Sequence, residues 1–333
     1  MQKIIVILGP TASGKSFLAE KLANRFNGEI ISADSRQIYK KMDIGTNKFH
    51  YDKNPSTRPD KKSGLAQGIT HYCLSETERS EVKSKAIIIN NIPHCLISII
   101  NPNQKFSLAQ YKKLAIKTIK DIHKRGKIPF LVGGTGLYIQ AIVDNLDIPQ
   151  VKPDLKLRSK LEKEIKTKGL EAVYQKLIKL DPQVKNFIDP KNPRRVIRAL
   201  EVCLITGQPF SKSRKKGRPF FKVLQIGLKI SKKELDKKIS QRTEQMFKSG
   251  LINEVQNLLK KYSPDTKALS GIGYQEIIPY LQNKITLEQV KKLINLHTRQ
   301  YAKRQITWFK KIPAIKWTKT DKQAIKLIKN FLK

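Results

Sequence analysis

The chain of 333 residues predicts an α/β fold: a parallel sheet covered by helices, built around a phosphate-binding loop (P-loop), with an all-helical insertion domain. Three observations carry that prediction. The apolar run from Ile4 to Leu8 passes directly into GPTASGKS, Gly9 to Ser16, and then into an amphipathic stretch from Phe17, which is the strand-loop-helix order such a loop needs. A second buried run, Ile128 to Val132, follows a helical period and closes in Gly133, Gly134, Thr135 and Gly136, so strand and helix alternate as in a parallel sheet. Beyond Asp144 the character changes to prolines and helical periods with no strand until Val223. The expected division is 1–145 and 219–333 for the P-loop core, and 146–218 for the helical insertion.

In chain order, the first strand is Ile4 to Leu8 and the second is Glu29 to Ser32, ending in Asp34, Ser35, Arg36 and Gln37. Ligands of open α/β sheets sit beyond the carboxyl ends of the strands, so these four residues are expected to face whatever the loop holds. From Lys48 to about Asn91 the pattern dissolves into polar, Lys-rich sequence, read as an inserted loop near 49–91. Leu96 to Ile100 reads as a strand, and Ser107 caps a helical period that runs to Arg125. After Pro149 and Pro153, helices are expected from Asp154 to Thr167 and from Leu170 to Leu180. Val223 to Leu228 returns to strand, and helical periods follow at Lys232 to Lys248, Leu251 to Tyr262, Tyr274 to Leu281 and Leu287 to Phe309.

No stretch of eighteen consecutive apolar residues occurs, and the apolar start is used up by the first strand, so a soluble, cytoplasmic protein without signal peptide or membrane span is expected. The three cysteines, Cys73, Cys95 and Cys203, form no C-x-x-C pair and suit a reducing compartment. His71 with Cys73 and His94 with Cys95 match no standard zinc spacing.

A formal charge of +40 points to a polyanionic partner, RNA or DNA. Lysine supplies 53 of the 67 basic residues, and a general compositional bias toward Lys would inflate the charge without any binding role. Arginine is the better witness. Seven of the 14 (Arg158, Arg194, Arg195, Arg198, Arg214, Arg218, Arg242) fall between 158 and 242, and Arg grips phosphate bidentately where Lys cannot. Arg194 and Arg198 lie four apart on one helical face, read either as a cationic surface or as an ordinary solvated one. Lys212, Arg214, Lys215, Lys216 and Arg218 form a basic run that reads as a phosphate-seeking loop.

The chemistry centres on the loop. Gly9, Pro10, Thr11, Ala12, Ser13, Gly14, Lys15 and Ser16 have the spacing at which successive backbone N–H groups turn toward an anion. Lys15 adds a point charge, Ser16 offers a hydroxyl to Mg²⁺, and the helix N-terminus adds its partial positive charge. Asp34 is either a turn residue or, opposite a Mg²⁺-bearing phosphate, a general base or water-mediated metal holder. Thr11 and Thr135 add hydroxyls at the same edge, and Arg242 is a candidate to reach a transferring phosphate. Glycines replace the Walker B carboxylate after Ile128 to Val132 and no NKxD motif occurs, which disfavours motor ATPases and GTPases. The residues alone leave open an ATP-using small-molecule kinase and a non-enzymatic RNA-binding protein.

Taken together, GPTASGKS (Gly9 to Ser16), ISADSRQIYKKMDIGTNK (Ile31 to Lys48), IPH (Ile92 to His94), IPFLVGGTGLYIQA (Ile128 to Ala141), NPRRVIRALEV (Asn192 to Val202), SGLINEV (Ser249 to Val255), GIGYQE (Gly271 to Glu276) and KRQITWF (Lys303 to Phe309) resemble the bacterial tRNA dimethylallyltransferases, also called tRNA isopentenyltransferases. The resemblance spans nearly the whole chain in order. It implies transfer of a dimethylallyl group from dimethylallyl diphosphate to N6 of the adenosine 3′ of the anticodon, with Mg²⁺ and no nucleoside triphosphate. The loop, Gly9 to Ser16, then holds the diphosphate, Lys15, Ser16 and Thr11 serve there, Asp34 is the general base and Arg242 steadies the departing diphosphate. The resemblance also places contacts to the tRNA anticodon stem-loop at Asp34, Ser35, Arg36, Gln37, Thr135, Arg158, Arg194, Arg195, Val196, Ile197, Arg198, Ser270, Gly271, Ile272, Gly273, Tyr274 and Gln275. A monomer without a membrane partner is expected. The chain departs from the family between Lys48 and Ile92, where it carries roughly thirty extra residues by loop-length expectation.

Overall fold

The computed structural model describes residues 1–48, 71–73, 85–149, 151–214 and 217–333, with His71–Cys73, Lys85, Ser213 and Arg214 described by backbone alone. Much of the expected inserted loop, and Lys215 and Lys216 of the basic run, lie outside the described residues. The described chain divides into two compact units, Met1–Ile142 with Phe220–Lys333, and Val143–Pro219.

The first unit is built on an eight-stranded sheet. Its strands are β1 (Lys3–Leu8), β2 (Gly28–Ser32), β3 (His71–Cys73), β4 (Lys85–Ile89), β5 (Ile92–Cys95), β6 (Ile128–Gly133), β7 (Lys222–Leu228) and β8 (Ile315–Thr318), in the order β3-β4-β5-β2-β6-β1-β7-β8. All pairings from β5 to β8 are parallel, and β3 and β4 add an antiparallel edge. The central strand β1 pairs Ile5 with Phe130 on one side and with Leu224 on the other. Such a strand is covered on both faces, which is why Ile4, Ile5, Val6, Ile7 and Leu8 are all apolar and all fully buried. The carboxyl ends of β1, β2 and β6 open at one edge. There the chain places Gly9 to Ser16, Asp34 to Gln37 and Gly134 to Gly136.

Helices α1 (Lys15–Arg25), α2 (Leu108–Lys124) and α3 (Gly136–Val143) follow β1, β5 and β6. Helix α2 starts at the expected cap, Ser107, which forms a capping box with Gln110 in which each side chain accepts the other residue's backbone N–H. In the second unit, α4 (Leu155–Leu180) breaks at Gly169, φ 81° and ψ 160°, so two helices run end to end where two were expected. Helix α5 (Pro193–Thr206) is capped by Asn192 and stopped by left-handed Gly207, and it packs Val196 and Leu200 against Leu161, Val173 and Leu177. Back in the first unit come α6 (Lys232–Lys248), α7 (Leu251–Leu259), α8 (Ile277–Leu281), α9 (Leu287–Lys310) and α10 (Asp321–Leu332).

Three expectations need correction. The strand expected at Leu96 to Ile100 is instead β5, four residues earlier, whose His94 and Cys95 pair with Ile30 and Ile31. Leu96 and Ser98 have positive φ, 61° and 54°, which ends extended backbone, so this apolar run is buried as a loop joined to Tyr39 by a single bridge at Ile100. A short apolar run does not distinguish these outcomes by period. The stretch read as an inserted loop contains strands β3 and β4. Finally, β8 and α10 extend the fold past the last expected helix, with Ala324 and Ile328 of α10 joining the core formed by Ile5, Ile7, Leu22 and Ile226.

Candidate active site

The loop after β1 turns through two left-handed residues, Ala12 (φ 61°) and Gly14 (φ 87°), and leads into α1. Gly14 caps α1 without any side-chain hydrogen bond, so the first amides of the helix remain available to an anion. Beside this cradle lies a cavity of about 560 Å³ lined by Lys15, Ser16, Asp34 and Arg242, with Phe17, Ile44, Ile97 and Met246 giving it apolar walls. The sequence-predicted catalytic residues are thus gathered around one space.

Its charges are poorly solvated. Burial pulls the Lys15 ammonium down to about 8, Asp34 partly offsets that, and Arg242 adds to it. Lys15 Nζ reaches only the Pro10 carbonyl, at 3.3 Å, among the described residues. Arg242, projecting from α6, donates from Nη1 to Thr11 Oγ1 at 2.8 Å, and burial lowers its pKa as well, against the raising influence of Asp34. Two half-buried cations without an ion pair among the described residues form a site that favours an anionic guest.

Asp34 Oδ1 accepts the Arg36 N–H at 2.8 Å, so the turn reading and the catalytic reading are compatible: one carboxylate oxygen shapes the turn and Oδ2 takes no hydrogen bond among the described residues. Ser35 N–H donates to Thr135 Oγ1 at 3.1 Å, and the Tyr301 hydroxyl also meets Thr135. Burial raises the Tyr301 hydroxyl to about 12, with nearby Asp34 acting in the same direction. Gln37 accepts from Ser32 Oγ at 2.9 Å and donates to the Thr46 and Asn47 carbonyls.

Several residues expected at an RNA surface have other work. Val196 and Ile197 are buried in the core of the helical unit. Arg158 and Arg198 both bind Glu201, which is fully buried and also accepts the Asp154 N–H. Arg36 donates to the Lys267 and Ala268 carbonyls at 3.0 and 3.1 Å. Tyr274 is 1% exposed and donates to Glu254 at 2.7 Å, and Gly271 and Gly273 are also buried. Arg194, Arg195, Ser270 and Gln275 remain exposed, and Ile272 is half-buried.

Two anchors were missed. The Glu254 carboxylate accepts the N–H groups of Asp43, Ile44 and Gly45 at 2.8, 2.8 and 3.1 Å, wrapping the turn that lines the cavity around an anion. A Cβ at Gly45 would come 2.5 Å from the Tyr274 ring, so only glycine fits there. Lys48 is fully buried, donating to the Tyr39 carbonyl, to Asp43 Oδ1 at 2.7 Å and to Ser98 Oγ at 2.9 Å. Both residues stand within quoted motifs, SGLINEV and DIGTNK, and that was the available signal.

The oxygen donors here, Ser16 hydroxyl and Asp34 carboxylate, suit a hard cation such as Mg²⁺. No group of three or more His, Cys, Asp or Glu able to hold a metal occurs among the described residues, so a cation at this place takes its remaining oxygens from phosphate and water.

A family model described as IPP transferase matches residues 81–312. The chain belongs to this IPP transferase family. It is 40% identical over 330 residues to a protein of Carboxydothermus hydrogenoformans named tRNA dimethylallyltransferase, covering 98% of this chain and 95% of the relative. A Thermoanaerobacter protein of the same name is 41% identical over 339 residues, with 99% and 96% covered. Among solved structures, the tRNA isopentenylpyrophosphate transferase of Bacillus halodurans superposes with TM-score 0.64 at 34% identity, covering 100% of this chain and 96% of that one. A eukaryotic dimethylallyltransferase acting on tRNA gives TM-score 0.74 at 27% identity, covering 100% and 80%. IPP transferase membership thus extends across both units.

Proposed function

We propose that this IPP transferase is a tRNA-modifying prenyltransferase that moves the dimethylallyl group of dimethylallyl diphosphate onto N6 of the adenosine 3′ of the anticodon. The observation that carries the reading is the pair of desolvated cations, Lys15 and Arg242, set beside Asp34 at a phosphate loop with no Walker B carboxylate.

The loop amides and Lys15 hold the diphosphate, and Ser16 with Asp34, directly or through water, would hold Mg²⁺. Bound Mg²⁺ supplies charge neutralisation to the phosphate oxygens. As the C1–O bond of the donor breaks, negative charge grows on the diphosphate, where Lys15 and Arg242 stabilise it more than in the ground state. N6 bonds to C1, and Asp34 takes the proton that N6 releases; diphosphate is the second product. An exocyclic amine is a weak nucleophile, so the reaction depends on leaving-group stabilisation. The apolar walls at Phe17, Ile44, Ile97 and Met246 suit the allyl chain and exclude water. The adenosine must leave its stack to reach this site, and the exposed Arg194 and Arg195 of the helical unit supply phosphate contacts to the anticodon arm.

This reading places the reaction in the cytoplasm, with tRNA, and in a monomer. No helix among the described residues is long and apolar enough to cross a membrane. The test is mass spectrometry of nucleosides from unmodified tRNA incubated with the protein, dimethylallyl diphosphate and Mg²⁺. Isopentenyladenosine is the expected product. Its absence across several anticodon loops, with ATP-dependent phosphorylation of a small acceptor instead, would overturn the reading in favour of a kinase.

A further inference from the structure

The KRQITWF motif on α9 has no part in the chemistry described so far, yet one of its side chains spans the two halves of the site. Gln305 is 6% exposed and uses both ends of its carboxamide: Oε1 accepts the Thr11 N–H at 2.8 Å, and Nε2 donates to the Gly134 carbonyl at 2.8 Å. The first bond ends on the diphosphate cradle, on the residue whose hydroxyl accepts from Arg242. The second ends on the turn after β6, where Thr135 N–H donates to the Ala33 carbonyl and Thr135 Oγ1 accepts from Ser35 N–H, on either side of Asp34.

The turn is shaped to receive this helix. A Cβ on Gly134 would lie 2.2 Å from Gln305 Nε2, and one on Gly136 would lie 2.4 Å from Trp308 Nε1. The glycines of GGTG and the Gln and Trp of KRQITW, three apart on one helical face, are therefore matched parts. Ala302 of the same helix is buried with Leu235 and Ile239 of α6, the helix that carries Arg242, and Ala12 of the loop and Ile306 pack on that cluster.

We propose that Gln305 is a positioning residue: its carboxamide fixes the separation between the cradle that holds the leaving diphosphate and the turn that carries the base Asp34. Only a group that accepts at one end and donates at the other serves both bonds, which selects Gln over Glu, Lys or Met. The Thr11 N–H is consumed by this bond and the Ser13 N–H turns back to the Pro10 carbonyl at 3.3 Å, so the anion is left to the Ala12 amide and to those from Gly14 onward. The inference rests on the prenyl-transfer reading, since it concerns alignment of a base with a leaving group.

The experiment compares Gln305→Met, of similar length without either hydrogen bond, with the wild-type chain at saturating tRNA and dimethylallyl diphosphate, well below the variant's Tm. Misalignment should lower kcat by about 10²-fold while tRNA affinity stays within a few-fold. The second readout is a double-mutant cycle with Asp34→Asn. If Gln305 acts by aligning Asp34, its effect on kcat shrinks at least tenfold once the carboxylate is gone, whereas a general structural role leaves the two losses multiplicative. Should Gln305→Met not fold, Gln305→Glu keeps the Thr11 bond, loses the donor to Gly134 and goes through the same two measurements. A wild-type kcat in the folded variant, or multiplicative losses, overturns the inference. Absence of product from the wild-type chain would instead overturn the functional reading.

Discussion

Two clusters of half-buried cations in this protein, Arg158 with Arg198 and Lys15 with Arg242, behave in opposite ways. In the helical unit, Arg158 and Arg198 hold both oxygens of Glu201, which is fully buried and satisfied by a further N–H from Asp154. That network keeps the Glu201 carboxyl down at about 2, since its hydrogen bonds and charge partners outweigh burial. At the P-loop, Arg242 and Lys15 are desolvated with hydroxyl and carbonyl partners but no ion pair among the described residues. The first arrangement is complete within the fold and holds α4 against α5. The second carries positive charge that the fold leaves uncompensated, and an anionic substrate completes it. Both contain arginine in the sequence, and only the partner of each guanidinium separates scaffold from site.

The largest expected effect falls on the carboxylate that shares the cavity with the two cations. Asp34→Asn keeps the turn, because an amide oxygen still accepts the Arg36 N–H, and removes the base; kcat should fall about 10²–10⁴-fold with tRNA binding nearly unchanged. Unchanged turnover would remove Asp34 from that role.

Arg242→Gln comes next, lowering kcat by about 10²–10³-fold through lost stabilisation of the diphosphate. Its distinguishing mark is stability. Because the charge is desolvated and unpaired, its removal should leave Tm unchanged or raised, and a large fall in Tm would mean that Arg242 is scaffold like Arg158.

Glu201→Gln tests the other side of the contrast. Two guanidiniums, each about one-third exposed, lose their counterion, and the helical unit should lose about 2–3 kcal/mol in denaturant unfolding at neutral pH. The carboxyl titrates at about 2 in the fold against the ordinary 4.5, so this stability is fully present above pH 4.5 and disappears as pH falls through about 2. A variant as stable as the wild type would show that the cluster is not structural.

Lys15 gives a tenfold effect per pH unit. The protonated form is needed to bind diphosphate and the free enzyme holds that proton only up to about 8, so kcat/KM for the donor should fall with slope −1 above that pH. Bound diphosphate restores the proton, so kcat should decline only at higher pH. A kcat/KM flat to pH 9.5 would contradict the desolvated ammonium.

What the sequence made legible follows from how each feature is encoded. The P-loop was readable because its backbone path demands small residues at fixed spacing, and Asp34 because it ends an apolar run at the same sheet edge. Gln305, Glu254 and Lys48 were not readable by role. Each acts on a segment distant in sequence or along an irregular turn, as when Gln305 reaches Thr11 across 294 positions, and a polar residue on a helix carries no periodic signal of its target. Strand β8 escaped because its four residues alternate as buried, exposed, exposed, buried, too short and too irregular for a period of two. Arg158 and Arg198 were read as surface for the same reason: their partner, Glu201, is three residues from one and 43 from the other.

The smallest effect concerns the arginines that the helical unit leaves exposed. Arg194 and Arg195 stand at the start of α5, next to Pro193 and the Asn192 cap, with no ion pair among the described residues. Each should contribute a phosphate contact and nothing to packing. Replacing either with Ala should weaken tRNA binding a few-fold at physiological salt, reduce the slope of log K against log salt by roughly 0.7–1, and leave Tm and kcat at saturating tRNA untouched. The salt slope is the decisive quantity, because a residue that shaped the helix would lower affinity equally at all ionic strengths. If Arg158→Ala reduced the slope as much as Arg194→Ala does, the contrast between saturated and uncompensated arginines would fail in the helical unit, for a guanidinium held by Glu201 would then also be binding phosphate.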